Sequence, residues 1–351
     1  MENCEPLVSS SFNSQLSTLA TSPAFPLARL APSRHPNLSM FHASKPRVTA
    51  LAGGIGASKL LLGLSEAMDS NDLAVIVNTG DDIVMHGLKI SPDLDIVTYT
   101  LAGVVNPNTG WGFRGDTFHF LKRFGTYGHE TWFNLGDRDL ATHVHRTNML
   151  AHGRTLTQVT ESIRHALGVK SRILPMSDQP VPTIIETRDG RMHFQEYLIK
   201  HHTVPGVRAI HFENVKHAHA APGVLEAICD AQRVIICPSN PLISIGPILA
   251  IPRVREQLRA RRESVYAVCP IVGGKSLKGP SDKMLTQLGC GSSATAVAKL
   301  YTDFVGTFVI DRRDAREADA IRALGMRVAV VPTVMRTRSD KRKLARSILG
   351  L

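Results

Sequence analysis

Short, strand-like, mostly apolar runs separated by helix-like stretches constrain this chain more than any other feature. Such runs occur at Val48–Ala52, Leu73–Val77 and Val207–Phe212, and at residues 234–237, 265–269, 304–310 and 328–331. Between most of them lie segments of helical character, at Val224–Asp230 and residues 254–261, 281–288, 294–301 and 316–324. A strand that is apolar at every position is buried on both faces, and intervening helices supply the two covers. The pattern therefore predicts an α/β fold, with a Rossmann-like, mostly parallel sheet and helices on both faces. Residues 116–205 break the alternation. They read as helices at 116–124, 138–152 and 157–167, then a hairpin whose arms, 182–188 and 192–200, flank Asp189-Gly190, a turn signal. This stretch is expected to be a helical and hairpin capping insertion between two parts of the core, residues 47–115 and 206–351. Residues 1–46 are rich in Ser, Pro, Ala and Asn and lack sustained periodicity. They read as a disordered or mis-assigned N-terminal extension, with Met40 an alternative start and a targeting peptide the third reading.

The second apolar run passes straight into Asn78-Thr79-Gly80-Asp81-Asp82, and Pro92-Asp93-Leu94-Asp95 follows. Acidic oxygens thus gather at the carboxyl end of a buried strand, where open α/β sheets bind ligands. One or two carboxylates with substrate phosphates are a common Mg²⁺ site. In isolation the same residues read as a turn and a helix cap. The first run ends in Gly53-Gly54-Ile55-Gly56-Ala57-Ser58-Lys59. These glycines allow a sharp turn and close approach of a ligand, and the helix that follows would favour a phosphate at its N-terminus. The spacing is neither that of a Walker A loop nor a full dinucleotide fingerprint. Lys59 reads as a phosphate contact or as a solvated side chain. Two further loops fall at strand ends, Pro238-Ser239-Asn240-Pro241 and Gly273-Gly274-Lys275 with Lys278. Three phosphate-compatible loops and an acidic cluster together make a nucleotide site the leading inference. Both tryptophans, Trp111 and Trp132, lie in Gly- and Asp-rich segments that suit a flat heterocycle or simple core packing.

The net charge of +11 over 351 residues raises the question of nucleic acid or membrane partners. The basic residues are scattered, however, and no aromatic–basic interleaving is visible. The basic run at residues 336–346 reads as the solvated face of a last helix. No stretch reaches the roughly 20 apolar residues that span a bilayer. We therefore expect neither nucleic acid nor membrane as a partner. The five cysteines, Cys4, Cys229, Cys237, Cys269 and Cys290, form no framework, which indicates a reducing, cytoplasmic setting.

The segments LAGGIGASKL, VNTGDD, SPDLD, TLAGVVNPNTGWG, WFNLGDRDLATH, RILPMSD, FQEYLI, PSNPLISIGPILAIP and PIVGGKSLKGP resemble the 2-phospho-L-lactate transferases of deazaflavin coenzyme F-420 biosynthesis. The resemblance runs from about residue 47 to 350 with the motifs in order. It implies a Rossmann-like core with a cap, often as a homodimer. It also implies Mg²⁺-dependent transfer of a phospholactyl, phosphoenolpyruvyl or phosphoglyceryl unit from a guanosine diphosphate-linked three-carbon acid to the deazaflavin alcohol Fo, with release of GMP. Carried onto this chain, it makes Asp81, Asp93 and Asp95 the reaction centre. Asp81 and Asp95 would hold the metal; a carboxylate such as Asp93 would accept the Fo proton, or the reaction would dispense with a base. Asp82, Trp132, Asp137, Arg138 and Asp139 would enclose the deazaflavin. Gly53, Gly54, Gly56, Lys59, Ser239, Asn240, Pro241, Gly274 and Lys275 would hold the nucleotide and its phosphates. The family's first turn usually carries another glycine near Ala57 or Ser58, and residues 1–46 have no recognised counterpart.

Two other classes fit parts of the pattern. A nucleotide-sugar-binding regulator of a related gluconeogenesis-factor-like family shares the glycine turn and sheet but has no use for the GDRD segment. A nicotinamide-dependent oxidoreductase needs an acidic residue after the second strand, which Asn-Thr-Gly-Asp-Asp partly supplies.

Overall fold

The computed structural model describes residues 45–351. The N-terminal extension expected over residues 1–46 lies, up to residue 44, outside them. Seven strands make the central sheet: β1 (Val48–Ala52), β2 (Leu73–Val77), β3 (Arg172–Pro175), β4 (Arg233–Ile236), β5 (Val265–Val268), β6 (Thr307–Ile310) and β7 (Arg327–Val330). They pair in parallel throughout, in the order β7-β6-β5-β4-β1-β2-β3. This is a Rossmann-type arrangement in which the winding reverses between β1 and β4.

Every residue of β1 and β2 is buried, as runs that are apolar at every position but Thr49 require. Val48, Ala50 and Ala52 face a core shared with α1 (Gly54–Ala67), α2 (Pro92–Leu101) and the C-terminal helix Arg338–Gly350. Leu51 faces the opposite core, built on the helices Val224–Asp230 and Val254–Ala260. The Thr49 hydroxyl on that second face donates to the Ala227 carbonyl at 2.7 Å, so a polar atom in the sheet is satisfied.

Two elements differ from expectation. Arg172–Pro175 is an edge strand of the central sheet, paired with β2, although it falls inside the stretch expected as the cap. It is four residues long, begins with Arg and ends with Pro, so it carries almost no apolar-run signal. Val207–Phe212 leaves the central sheet and pairs antiparallel with Thr183–Thr187, which also pairs with Gly190–His193. Only Val207 of that strand is fully buried. The expected hairpin is thus part of a three-stranded sheet. α3 (His119–Gly125), α4 (Asp137–Ala151) and α5 (Leu156–Ala166) precede it. A short hairpin, Ile83–Met85 with Leu88–Ile90, packs on α4.

Candidate functional site

The carboxyl ends of β1 and β4 open into a cavity of about 900 Å³, at the place where the sheet's winding reverses. The two loops that leave these strands interlock. The Ser239 hydroxyl donates to the Gly53 carbonyl at 2.8 Å. A Cβ on Gly56 would overlap the Pro238 carbonyl oxygen, so only glycine lets the α1 turn approach that loop. Gly54 has φ of 71°, again a glycine conformation. α1 has no acidic residue in its first turn and no cap from its own N-cap side chain; Asp93 accepts from the Gly54 N–H, and the positive dipole end of the helix favours an anion beside it. Lys59 lines the same cavity. Burial lowers its ammonium pKa, and the charges of Lys278 and Lys341 lower it further.

Asn78 organises the acidic centre. Its amide donates to Asp81 Oδ1 at 3.2 Å and to Asp93 Oδ2 at 2.9 Å, and its Oδ1 accepts from Gly80 N–H at 2.8 Å. Asp93 also takes a hydrogen bond from the Gly54 backbone, and Gln195 Nε2 lies 3.4 Å from Asp81 Oδ2. Asp81, Asp93 and Asp95 are all buried. Burial pushes the Asp81 carboxyl well above its ordinary range, with the Asp93 charge adding to it. Burial also raises Asp93 to about 6, partly offset by Asn78. Asp81 and Asp93 therefore form one buried pair held by a single amide, and both favour a proton or another cation.

Asp95 has a different neighbour. Its carboxylate meets the guanidinium of Arg146, a fully buried side chain on α4. Burial raises the Asp95 carboxyl, and Arg146 then His143 oppose that. His143 Nδ1 lies 3.2 Å from Arg146 Nη1 and 3.7 Å from Asp95 Oδ2, and its Nε2 lies 3.5 Å from Asp139 Oδ2. The Tyr99 hydroxyl donates to Asp139 Oδ1 at 2.6 Å. Burial works against ionisation of Asp139, but His143, Tyr99 and Arg146 hold its carboxyl below the usual range. Asp95, Asp139 and His143 are a group with metal-ligand character among the described residues. The Arg146 cation already sits against two of them.

The expected residues divide clearly. Gly53, Gly54, Gly56, Lys59, Asp81, Asp93, Asp95, Asp139, Ser239 and Asn240 all line the cavity. Asp82 does not. It turns to the Ser91 hydroxyl at 2.7 Å, and burial raises its carboxyl to about 8. Trp132 is drawn outward, its indole N–H donating to Glu130 at 3.1 Å and Lys200 lying 6.0 Å from its ring. Trp111 and Phe133 form the aromatic wall instead. Asp137 accepts from the His119 and Phe120 N–H groups at 2.9 Å each, so it caps α3. Arg138 donates to the Arg114 carbonyl at 3.0 Å. Of the GDRD segment, only Asp139 reaches the cavity. Pro241, Gly274 and Lys275 are not among the residues that line the cavity, whereas Lys278, three residues after Lys275, is.

The sequence reading passed over Asn78, Tyr99, His143, Arg146 and Gln195 as site residues, whereas Lys278, read as a possible phosphate charge, does line the cavity. Asp139, His143 and Arg146 share a helical face by their i, i+4 and i+3 spacing, and that signal is readable once α4 is placed. Gln195 comes from the distant hairpin sheet, and no local pattern marks it.

Residues 48–335 match the family model described as 2-phospho-L-lactate transferase CofD. The chain is 40% identical over 301 residues to the 2-phospho-L-lactate transferase of Methanosarcina acetivorans, covering 86% of this chain and 97% of that protein. It is 42% identical over 312 residues to the phosphoenolpyruvate transferase of Streptomyces griseus, covering 87% and 98%. Among solved structures, a UPF0052 family member from Bacillus halodurans superimposes with a TM-score of 0.60 at 17% identity, over 87% of this chain and 99% of that one. That likeness concerns the fold alone. No helix among the described residues is long and apolar enough to cross a membrane.

Proposed function

This chain belongs to the 2-phospho-L-lactate transferase family, and from that premise we propose that it transfers a substituted phosphate group onto the deazaflavin Fo in coenzyme F-420 biosynthesis. The donor is a guanosine diphosphate-linked lactate, enolpyruvate or glycerate. The Fo hydroxyl oxygen bonds to the phosphorus that carries the three-carbon acid. The bond from that phosphorus to the bridging oxygen breaks, and GMP leaves with the electron pair. The hydroxyl proton passes to solvent. The two relatives' names differ in the three-carbon unit, and their identities to this chain, 40% and 42%, do not separate them.

One observation carries the reading: the Asp81 and Asp93 pair stands against the Gly53-Gly54 turn inside one cavity. Phosphoryl-type transfer needs positioning and charge neutralisation more than covalent participation by the protein. The α1 N-terminus, Lys59 and Lys278 offer positive potential to the two phosphates. Ile90, Trp111, Phe133, Phe194 and Leu198 offer an apolar wall to the flat acceptor.

Mg²⁺ suits this donor set. Asp81 and Asp93 are hard oxygen ligands, buried side by side on one amide, and their raised carboxyls favour a cation. Bound there, the ion would offset charge on the phosphates and on departing GMP. Asp95, expected beside Asp81 as a ligand, already faces Arg146, so we assign Asp93 in its place. We assign no dedicated base, since a loose transition state leaves the hydroxyl proton late. A homodimer in the cytoplasm belongs to the same reading and rests on the family alone. An assay of GMP release tests it. Release that requires both Fo and Mg²⁺ is expected, and release indifferent to Fo would overturn the assignment.

A further inference from the structure

We propose that Asp139 and His143 together read a lactam edge, a ring N–H beside a ring C=O, on the heterocycle that enters the cavity. The inference rests on the transferase reading above, and it gives a ligand-recognition role to His143 and a specific one to Asp139.

Both residues sit on α4, one turn apart, and both line the cavity. His143 is 1% exposed and Asp139 8%. A guanidinium has donors only, so Arg146 Nη1 at 3.2 Å makes His143 Nδ1 an acceptor and leaves the ring proton on Nε2. That Nε2 is shielded from water and has no hydrogen-bond partner among the described residues. Asp139 Oδ2 stands 3.5 Å away, beyond a good hydrogen bond. Asp139 Oδ1 is occupied by the Tyr99 hydroxyl, which leaves Oδ2 as the carboxylate's open acceptor.

The wall thus presents one N–H donor and one carboxylate acceptor side by side. A lactam edge is their complement. Its C=O accepts from His143 Nε2–H, and its N–H donates to Asp139 Oδ2. A buried donor without a partner is costly, and a ligand carbonyl seated against the ring edge removes that cost. The same geometry sets His143 apart from metal binding and base catalysis, because Arg146 occupies the one lone pair that either role would need.

Two heterocycles in the proposed reaction carry a lactam edge, the guanine of the donor and the pyrimidinedione of the deazaflavin. Separate titrations distinguish them: Fo by its own fluorescence, and GDP by calorimetry. His143→Ala is expected to weaken one of the two by about tenfold, the scale of one lost hydrogen bond to a buried partner, and to leave the other unchanged. His143→Gln, which keeps an N–H, should recover most of the loss. Loss for Fo places the edge on the acceptor, and loss for GDP places it on the donor base. A ligand-side test needs no variant. The same heterocycle methylated on its ring nitrogen should bind wild-type protein about tenfold more weakly. Unchanged affinity for both heterocycles and for their methylated forms would overturn the proposal. Loss of Mn²⁺ binding in His143→Ala with both affinities intact would also overturn it. A wild type that binds Fo and GDP but transfers nothing would contradict the transferase reading and leave this test intact.

Discussion

Asp116 and Asp137 cap one another's helices. Asp137, the first residue of α4, accepts from the N–H groups of His119 and Phe120 at the start of α3. Asp116, just ahead of α3, accepts from the N–H groups of Arg138 and Asp139 at 2.8 and 3.2 Å, at the start of α4. The exchange locks the two helix starts together and fixes the turn of α4 that carries Asp139. It explains why two Gly-Asp segments recur in the sequence: each places a carboxylate where the other helix has unpaired donors.

Asp137→Ala and Asp116→Ala are therefore expected to act on stability more than on chemistry. Each should lower the midpoint of thermal unfolding by roughly 2–4 °C, the scale of one lost helix cap, with turnover retained at saturating substrate. An unchanged midpoint together with lost Fo binding would return Asp137 to the ligand.

Arg146 and Asp95 form a pair with almost no access to solvent. Removing one partner leaves a buried charge uncompensated. Arg146→Met should cost about 3–5 kcal/mol in a denaturant titration. Adding Asp95→Asn in the same chain should recover much of that loss. Simple additivity of the two substitutions would show that the pair is not coupled.

Gly56 separates two roles that glycine can play here. Its missing Cβ admits the Pro238 carbonyl, so Gly56→Ala must push the α1 turn away from the Ser239 loop. We expect kcat/KM to fall on the order of tenfold to a hundredfold. Gly206→Ala, at a position with open space around it, should leave kcat/KM unchanged. Equal kinetics in the two variants would contradict the interlocked loops.

Much of this architecture is readable from the chain, and what is missed has physical causes. Strands such as Leu73–Val77 announce themselves because burial on both faces excludes polar residues. Arg172–Pro175 does not, because an edge strand of four residues tolerates Arg at one end and Pro at the other. Val207–Phe212 carries an apolar pattern that fits either sheet, and only tertiary pairing decides between them. In the site, Asp81, Asp93 and the glycine turn stand out because their loops follow buried strands directly. Asp137 and Arg138 look like ligand residues until the caps they make are seen. Asn78 sits inside the most conspicuous motif. Its role as the bridge between Asp81 and Asp93 becomes visible only when α2 folds back over the strand end.

The raised carboxyls set a pH dependence. Asp93 at about 6 and Asp82 at about 8 lie above the unfolded carboxyl value near 4. The folded state then binds more protons than the unfolded state across that interval. Stability from these groups is fully present below the unfolded value and is lost as pH rises through about 6 and then about 8. A divalent ion at Asp81 and Asp93 takes the place of the proton on Asp93. The gain in unfolding midpoint from saturating Mg²⁺ should therefore be larger at about pH 7.5 than at about pH 5.5. A gain that is flat or shrinks with pH would contradict the metal assignment to this pair.

The most direct test of the central claim is an endpoint reaction read by mass spectrometry. Purified protein, Mg²⁺ and Fo are offered guanosine diphosphate-linked lactate, enolpyruvate and glycerate in competition, with EDTA and Asp81→Asn as controls. The account predicts an Fo adduct formed alongside GMP, whose mass identifies the preferred acid, and which both controls abolish. Folded wild-type protein that yields no adduct from any donor, or Asp81→Asn that turns over like wild type, would contradict it.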